Sequence, residues 1–252
     1  MIPKKTNRKT GIPGQIRLNR YIASSGICSR RDADDLIRRG LVEINGKKIT
    51  ELGTLVKPSD QVKVRGKLIQ NAKKVYILLN KPKDTITTTD DPQHRNTVLD
   101  RIKGATSERV YPVGRLDRNT TGVLLLTNDG ELAARLTHPS NRIKKIYEVT
   151  LNRKINPKDL KKLTDGILLD DGMMKVDRVG LSDPANPKTI GLEIHSGKNR
   201  IVRRIFEHLG YEVVKLDRVF FAGLTKKNLP RGKWRKLNPA EIGWLKMMKN
   251  AT

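Results

Sequence analysis

The sequence predicts an α+β protein built from two domains. Helix-like and strand-like patterns follow one another along the 252 residues, but without the regular strand–helix alternation of a doubly wound parallel sheet. A polar, basic stretch at residues 66–74 separates a compact N-terminal pattern from a longer one, and we interpret it as a linker. No internal repeat with a period of about 20–50 residues is visible in the sequence.

The N-terminal pattern predicts two short helices followed by a small sheet. Leu18 and Ile22 are spaced as on one helical face, and Ser29 with Asp32 forms a capping box for a second helix. Apolar residues then alternate on either side of Asn45-Gly46, a pair that is typical of a hairpin turn. These elements assign residues 15–68 to one small domain.

The longer pattern predicts a mixed, mainly antiparallel sheet flanked by helices, in a domain that spans residues 75–250. We expect strands at 75–79, 110–113, 123–127, 146–151, 190–194 and 211–221. We expect helices at 131–136, 157–163, 199–209 and from 239 to about 249. The polar segment 84–97 is predicted to be a long loop.

The charge of the chain predicts a polyanionic partner. Lys and Arg number 52 against 26 Asp and Glu, so the formal net charge is +26, and both predicted domains carry a positive excess. Nucleic acid is favoured over an anionic membrane surface, because no basic amphipathic helix with bulky apolar anchors is present. Residues 1–14 contain several basic residues and no acidic one, and we interpret them as a flexible basic arm.

The sequence also excludes several classes of protein. It has neither an apolar run of about 18 residues nor a secretory signal, so we expect a cytoplasmic protein without a membrane span. The single Cys28 excludes an intrachain disulfide, and the four histidines are too widely spaced to suggest a shared metal site. The glycine motifs of nucleotide-binding proteins are absent.

A charged turn at residues 114–122 lies between two predicted strands and holds the first candidate site residue. Asp117 is close to Arg115 and Arg118, whose positive charges favour its ionised form. An ionised carboxylate in a turn can act as a nucleophile or as a base. A solvated loop without any chemistry is the alternative, and the local sequence alone favours that alternative.

Two further segments hold candidate residues. Four cations fall within residues 198–204 at the start of a predicted helix, where they oppose the helix dipole. They are expected to meet a polyanion or a buried carboxylate, and a solvated helix face is an equal alternative. Tyr147 lies beside three cations and is a candidate for stacking on a base, although an ordinary core tyrosine is slightly favoured.

Several motifs in the same order give the sequence a family resemblance. Arg115-Leu116-Asp117, followed by Thr120-x-Gly122 and the segment 124–130, resembles the central motif of the pseudouridine synthases. The segments 79–83, 144–149 and 197–204 are similar to the bacterial rRNA enzymes of the RsuA/RluB type. The N-terminal pattern, from residue 17 to 64, resembles an S-four-type RNA-binding domain. The resemblance covers about residues 16–245.

The resemblance implies an enzyme that isomerises one uridine in RNA. The family breaks the bond between the sugar and a base nitrogen, rotates the base and rejoins it through a base carbon. Asp117 would start the reaction, either by covalent attack or by taking a sugar proton, and Arg203 would pair with Asp117 and keep it ionised. Tyr147 would stack on the target base, and Arg115 would fill the gap that the flipped nucleotide leaves. The resemblance implies neither a metal nor an organic cofactor.

A larger set of residues is expected to bind RNA. In the catalytic domain these are Arg115, Arg118, Lys81, Lys198, Asn199, Arg200 and Arg204, and in the N-terminal domain they are Arg20, Arg30, Arg31, Arg38 and Arg39. The sequence departs from the family pattern at Asp84, where glycine is usual, which affects a local turn. It also departs at Lys198 and Ile201, where arginine and glutamine are usual, which affects RNA contacts.

We therefore expect a site-specific rRNA pseudouridine synthase. It would act as a monomer on ribosomal RNA or a pre-ribosomal particle, with large-subunit rRNA favoured over small-subunit rRNA, and a tRNA-modifying synthase is a weaker alternative. A non-catalytic RNA-binding factor in ribosome assembly is the alternative from another class. The presence of Asp117, Tyr147 and Arg203 argues against that alternative, because a binding protein does not need a carboxylate that faces phosphate.

Overall fold

A computed structural model describes residues 14–183 and 185–248 of the chain. The chain divides into two compact units, Met1–Lys73 and Lys74–Thr252. The expected basic arm at residues 1–14 lies outside the described residues, except for Gly14.

The first unit consists of two helices and several short strands. The helices are α1 (Leu18–Ser24) and α2 (Arg30–Arg38). The strands are β1 (Ile16–Arg17), β2 (Val42–Ile44), β3 (Lys47–Ile49), β4 (Leu55–Val56), β5 (Val62–Val64) and β6 (Lys67–Leu68). β1 pairs with β4, and the other four strands form a sheet in the order β3-β2-β5-β6.

Local signals in the sequence account for the boundaries of these elements. Ser29 Oγ accepts a hydrogen bond from the Asp32 N–H, and the Asp32 carboxylate accepts one from the Ser29 N–H, so the predicted capping box begins α2. Asn45 and Gly46 take φ angles of 50° and 79° in the tight turn between β2 and β3. The apolar faces of both helices and of the sheet form one core around Ile22.

The second unit contains a larger set of strands and four α-helices among its described residues. The strands are β7 (Tyr76–Lys81), β8 (Tyr111–Pro112), β9 (Thr121–Thr127), β10 (Lys145–Leu151), β11 (Ile167–Leu169), β12 (Gly172–Met174), β13 (Arg178–Leu181), β14 (Thr189–Ile194), β15 (Val213–Phe221), β16 (Leu224–Thr225) and β17 (Trp234–Lys236). The helices are α3 (Gly130–Thr137), α4 (Pro157–Asp165), α5 (Ile201–His208) and α6 (Pro239–Met247).

Nine of these strands form one mixed sheet. The main order is β13-β14-β10-β15-β9-β7-β17, with β16 paired to β15 and β8 paired to β9. Among the described strands, β15 and β9 form the parallel pair, and the other pairs of this sheet are antiparallel. The predicted fold class, an α+β protein with a mixed and mainly antiparallel sheet, is confirmed.

The sheet is buried on both faces around β7 and β9. Ile77 and Leu79 contribute to one core, and Tyr76 and Leu78 contribute to another. Side chains of a strand alternate between its two faces, so a strand buried on both faces requires an unbroken apolar run. A third core lies where α4 and α5 pack with β10 and β14.

Several elements were not predicted from the sequence. β11 and β12 form a hairpin around Asp170 and Asp171, and β13 and β17 are the end strands of the main order. All four strands are short, with three or four residues each, so none of them shows an extended apolar alternation. The helix expected from residue 199 begins at Ile201, because Arg200 takes a left-handed φ of 47°. The predicted end of the last helix, at Lys249, lies outside the described residues.

Candidate active site

The charged turn that connects β8 to β9 presents Asp117. Leu116 is buried in the core beneath the turn, whereas Asp117 is half-buried and its neighbours Arg115 and Arg118 are exposed. The Thr120 N–H donates to the Asp117 carbonyl oxygen at 3.0 Å and so closes the turn. The apolar anchor at Leu116 therefore fixes the turn and leaves the carboxylate accessible.

Lys81 supports this turn from inside the unit. Its side chain is fully buried, and Nζ donates to the carbonyl oxygens of Asp117 and Arg118 at 3.1 Å and of Thr120 at 2.8 Å. Burial lowers the pKa of Lys81 to about 8, while attraction to the Asp117 carboxylate opposes that shift. The prediction that Lys81 binds RNA is wrong, because its ammonium group is buried and occupied by carbonyl oxygens of the protein.

Asp84 occupies a turn position that the family pattern assigns to glycine. Its φ of 58° is left-handed, a conformation that aspartate tolerates better than most residues. The Asp84 carboxylate accepts a hydrogen bond from Nε of Arg118. This departure from the family pattern therefore preserves the turn and adds an exposed ion pair next to Asp117.

Asp117 lines a cavity of about 390 Å³ within the second unit. Six of the predicted site residues line this cavity: Arg115, Asp117, Tyr147, Lys198, Asn199 and Arg200. Val113, Leu216 and Phe221 supply apolar walls. The exposed cations belong to the turn and to the segment before α5, so positive charge surrounds the mouth of a cavity whose lining includes one carboxylate, that of Asp117.

The inner wall of the cavity carries two basic residues that sequence reasoning missed. Arg218 on β15 is the cross-strand neighbour of Tyr147 on β10, and it is 2% exposed. Lys145 Nζ donates to the carbonyl oxygens of His195 and Ser196, at 2.7 and 3.3 Å, and so ties β10 to the segment before α5. Burial, and then the charge of Arg218, lowers the pKa of Lys145 to about 8.

A signal for both residues was present in the strand pattern. Arg218 follows the buried Leu216 by two residues, and Lys145 precedes Tyr147 by two residues. Residues two apart point to the same face of a strand, so an inward-facing position in each strand carries a charge. A charged residue at an inward-facing strand position is unusual in a core, and it therefore indicates a candidate functional site.

Arg203 does not line this cavity. Its Nη1 donates to the carbonyl oxygen of Val213 at 2.8 Å, and no ion pair within the described residues includes Asp117. Ile201 lines the cavity, and two residues later an α-helix has turned by about 200°, so Arg203 leaves α5 in another direction. The predicted pair between Arg203 and Asp117 is therefore wrong.

The β11–β12 hairpin holds the basic segment before α5 in place. Asp171 at its turn accepts hydrogen bonds from Arg204 at 2.8 and 3.0 Å and lies 3.5 Å from Nζ of Lys198. The bonds from Arg204, together with the charges of both cations, lower the pKa of Asp171 to about 2. Arg204 is thus paired with a carboxylate and does not line the cavity, and its binding of RNA stays a prediction.

The cations predicted to bind RNA in the first unit lie on its two helices. Arg30 and Arg31 begin α2, and Arg38 and Arg39 lie at its end. All four side chains are exposed, while Arg20 on α1 is half-buried. Arg38 forms an ion pair within its own helix.

Metal-ligating side chains are dispersed in the described part of the chain. No three His, Cys, Asp or Glu residues there are grouped as a metal site requires. Cys28 is half-buried and packs against the core of the first unit. Over residues 14–183 and 185–248, no helix is long and apolar enough to cross a membrane.

Models of two known families match the two units. The model of the RNA pseudouridylate synthases matches residues 75–208, which include Asp117, Tyr147 and the basic segment before α5. The chain belongs to the RNA pseudouridylate synthase family. A model of the S4 domain matches residues 16–62, so this synthase carries the N-terminal domain that its sequence resembles.

Similar proteins extend the match over nearly the whole synthase. It is 43% identical over 236 residues to the ribosomal large subunit pseudouridine synthase B of Bacillus subtilis (strain 168). The matched region covers 92% of this chain and 96% of that protein. It is also 37% identical over 241 residues to the dual-specificity RNA pseudouridine synthase RluF of Escherichia coli (strain K12). That matched region covers 94% of this chain and 81% of that protein.

A solved structure described as a pseudouridylate synthase matches this synthase with a TM-score of 0.66 and 28% identity, over 91% of this chain and 99% of that one. The predicted family and enzyme class are confirmed, and the chain is an RNA pseudouridine synthase.

Proposed function

We propose that this synthase isomerises one uridine of ribosomal RNA to pseudouridine and that its substrate is large-subunit rRNA. The observation that carries the proposal is the single cavity that holds both Asp117 and Tyr147, with exposed cations around it. The similarity to a large-subunit synthase over 92% of the chain supports the choice of rRNA. We also propose that the enzyme works as a monomer in the cytoplasm, on rRNA or a pre-ribosomal particle.

In this proposal the target nucleotide leaves the RNA stack and enters the cavity. Unstacking costs on the order of a few kcal/mol, which contacts in the cavity must offset. Tyr147 stacks on the base and Arg115 fills the gap in the RNA, while exposed Lys198 and Arg200 meet neighbouring phosphates. Asp117 then acts on the ribose, as a nucleophile or as a base, because the turn presents its carboxylate without an ion pair among the described residues.

The test compares Asp117→Asn with the unmodified enzyme on transcripts of both ribosomal RNAs and of tRNA. We expect pseudouridine at one large-subunit position, its loss in Asp117→Asn, and similar RNA affinity for both proteins. Asp170→Asn is the matched control, because Asp170 is exposed and does not line the cavity. Product in Asp117→Asn would contradict the role of Asp117, and product only in another RNA would contradict the choice of substrate. Binding without any product from the unmodified enzyme would favour the assembly factor.

A further inference from the structure

Within the described residues, Arg218 is a buried cation without a carboxylate partner. It is 2% exposed, and its Nε donates to the carbonyl oxygen of Val123 at 2.8 Å. Its guanidinium carbon lies 4.6 Å from the centre of the Phe221 ring. Nη2 is buried and has no hydrogen-bond partner in the described structure. A charged donor left unsatisfied in a buried site is costly, so its retention calls for a function.

The surroundings of Arg218 add positive charge to the same wall. Lys145 lines the cavity too, and its ammonium group already donates to carbonyl oxygens of Ile143, His195 and Ser196. Asp117 lines the cavity as well, but no ion pair joins it to either cation within the described residues. Arg218 also lines the cavity, and its buried Nη2 is a donor that no group of the described protein occupies.

The position of Arg218 indicates which part of a nucleotide it meets. Phosphates carry full charges and remain near solvent, where Arg115, Lys198 and Arg200 are exposed. Arg218 instead lies at the inner wall beside Tyr147, its cross-strand neighbour. A base stacked on Tyr147 would bring its polar edge, rather than a phosphate, to this wall.

We propose that Nη2 of Arg218 donates a hydrogen bond to a carbonyl oxygen of the flipped uracil and stabilises the negative charge of the base when it is detached from the sugar. This inference rests on the proposed function and makes Arg218 a catalytic residue of the same cavity. Preorganised donors aimed at a developing negative charge are among the strongest sources of rate enhancement. The bond to Val123 and the ring of Phe221 hold the guanidinium in advance of the reaction.

The charge arises from the bond changes of the isomerisation. When the bond between C1′ and N1 breaks, its electron pair leaves with the base, and the negative charge is shared by N1, O2 and O4. After rotation, C5 bonds to C1′ with an electron pair of the ring, C5 loses its proton and N1 gains one. Asp117 is restored at the end whether it acts by covalent attack or by taking a sugar proton, and no other reactant is consumed. Arg218 acts while the base is free and anionic.

The test measures single-turnover conversion of an rRNA transcript that carries the target uridine. Arg218→Met removes the charge and keeps an unbranched apolar chain, and Arg218→Lys keeps a charge with different donor geometry. We expect a loss of about 100-fold in rate for Arg218→Met, with partial recovery in Arg218→Lys and nearly unchanged RNA affinity. Arg153→Met is the matched control, because Arg153 also lies over a ring, 4.9 Å from the centre of Tyr211, but is exposed and outside the cavity.

A second measurement places the contact on the base. Transcripts with 2-thiouridine or 4-thiouridine at the target weaken one carbonyl acceptor at a time. We expect one of the two to slow the unmodified enzyme and to have little further effect in Arg218→Met. If Arg218→Met does not fold, Arg218→Lys replaces it in the same comparison.

The inference would be overturned if both Arg218 variants converted the transcript at the wild-type rate. It would also be overturned if 2-thiouridine and 4-thiouridine slowed Arg218→Met as much as they slow the unmodified enzyme. In both cases the proposed function would stand. Absence of pseudouridine with the unmodified enzyme would overturn both.

Discussion

At the residue scale, Lys81 shows how a charged side chain can act as part of a scaffold. Its ammonium group meets four carbonyl oxygens at 2.8–3.1 Å, three of them from the turn that presents Asp117. With a pKa of about 8 it is mostly protonated at pH 7 and can donate three hydrogen bonds. Lys81 thus determines where the Asp117 carboxylate lies without touching a substrate.

Replacement of Lys81 by methionine is expected to lower both stability and activity. Lys81→Met leaves buried carbonyl oxygens without a donor, which should cost about 2–4 kcal/mol in the free energy of unfolding. Displacement of Asp117 should lower the single-turnover rate roughly 100-fold. Urea denaturation and a single-turnover assay measure the two effects. The exposed Lys83→Met is the control, and equal effects of both variants would refute the scaffold role.

Two of the residues predicted to be catalytic, Asp117 and Tyr147, line the cavity, whereas the third, Arg203, does not. Asp117 and Tyr147 are marked by motifs, whereas the direction of Arg203 depends on where α5 begins. Because Arg200 is left-handed, the helix starts at Ile201, and this sets which side chains face the cavity. The strand pattern marks Arg218 as inward-facing, but its place beside Tyr147 depends on a strand pairing between distant segments, which no local pattern encodes.

At the element scale, the parallel pair β9–β15 brings the Asp117 turn next to Arg218. Gly122 pairs with Arg218, and its φ of 107° disfavours any L side chain. A Cβ added at Gly122 would lie 2.2 Å from the carbonyl oxygen of Arg218 and 2.4 Å from Oδ1 of Asp217. The absence of a side chain therefore permits the approach of the two strands that build the cavity.

Gly122→Ala is expected to destabilise the synthase strongly. Backbone strain and the steric clash together should cost roughly 2–4 kcal/mol of the free energy of unfolding. Thermal and urea unfolding measure this loss. Gly180→Ala on β13 is the matched control, because a Cβ there meets no atom within 4 Å. A Gly122→Ala variant as stable as Gly180→Ala would show that the strands do not need this close approach.

The strands themselves were largely predictable, but their pairing was not. The apolar runs of β7 and β9 and the alternation in β14 are visible in the sequence, because burial on one or both faces dictates composition. The order β15-β9-β7 joins segments far apart in the chain. The β11–β12 hairpin escaped prediction since Leu168 and Met173 are exposed and its turn is acidic.

At the scale of the whole molecule, the net charge of +26 is expected to make RNA binding strongly dependent on salt. Arg30 and Arg31 are exposed at the start of α2 in the S4 domain, where we predict phosphate contacts. We assume that each of the two residues contacts one phosphate. The double variant Arg30→Gln, Arg31→Gln should then reduce the slope of the logarithm of the RNA-binding constant against the logarithm of the salt concentration by about 1.5 in magnitude. The rate at saturating RNA should stay unchanged, since Asp117 is untouched.

Filter-binding titrations at several salt concentrations measure this slope. The control is Lys158→Gln, Lys161→Gln on α4, which removes the same charge from exposed positions of the second unit. Equal reductions in slope for the two pairs would mean that the basic surface acts only through its total charge. In that case the S4 domain would have no defined phosphate contacts at Arg30 and Arg31.

We expect this synthase to modify large-subunit rRNA through Asp117. The measurement that tests it most directly is a pseudouridine map of total RNA from cells that lack the gene, rescued with the unmodified enzyme or with Asp117→Ala. We predict that one large-subunit site disappears, that the unmodified enzyme restores it and that Asp117→Ala does not. Loss of a small-subunit or tRNA site would overturn the choice of substrate. No lost site, or full rescue by Asp117→Ala, would contradict the account of catalysis.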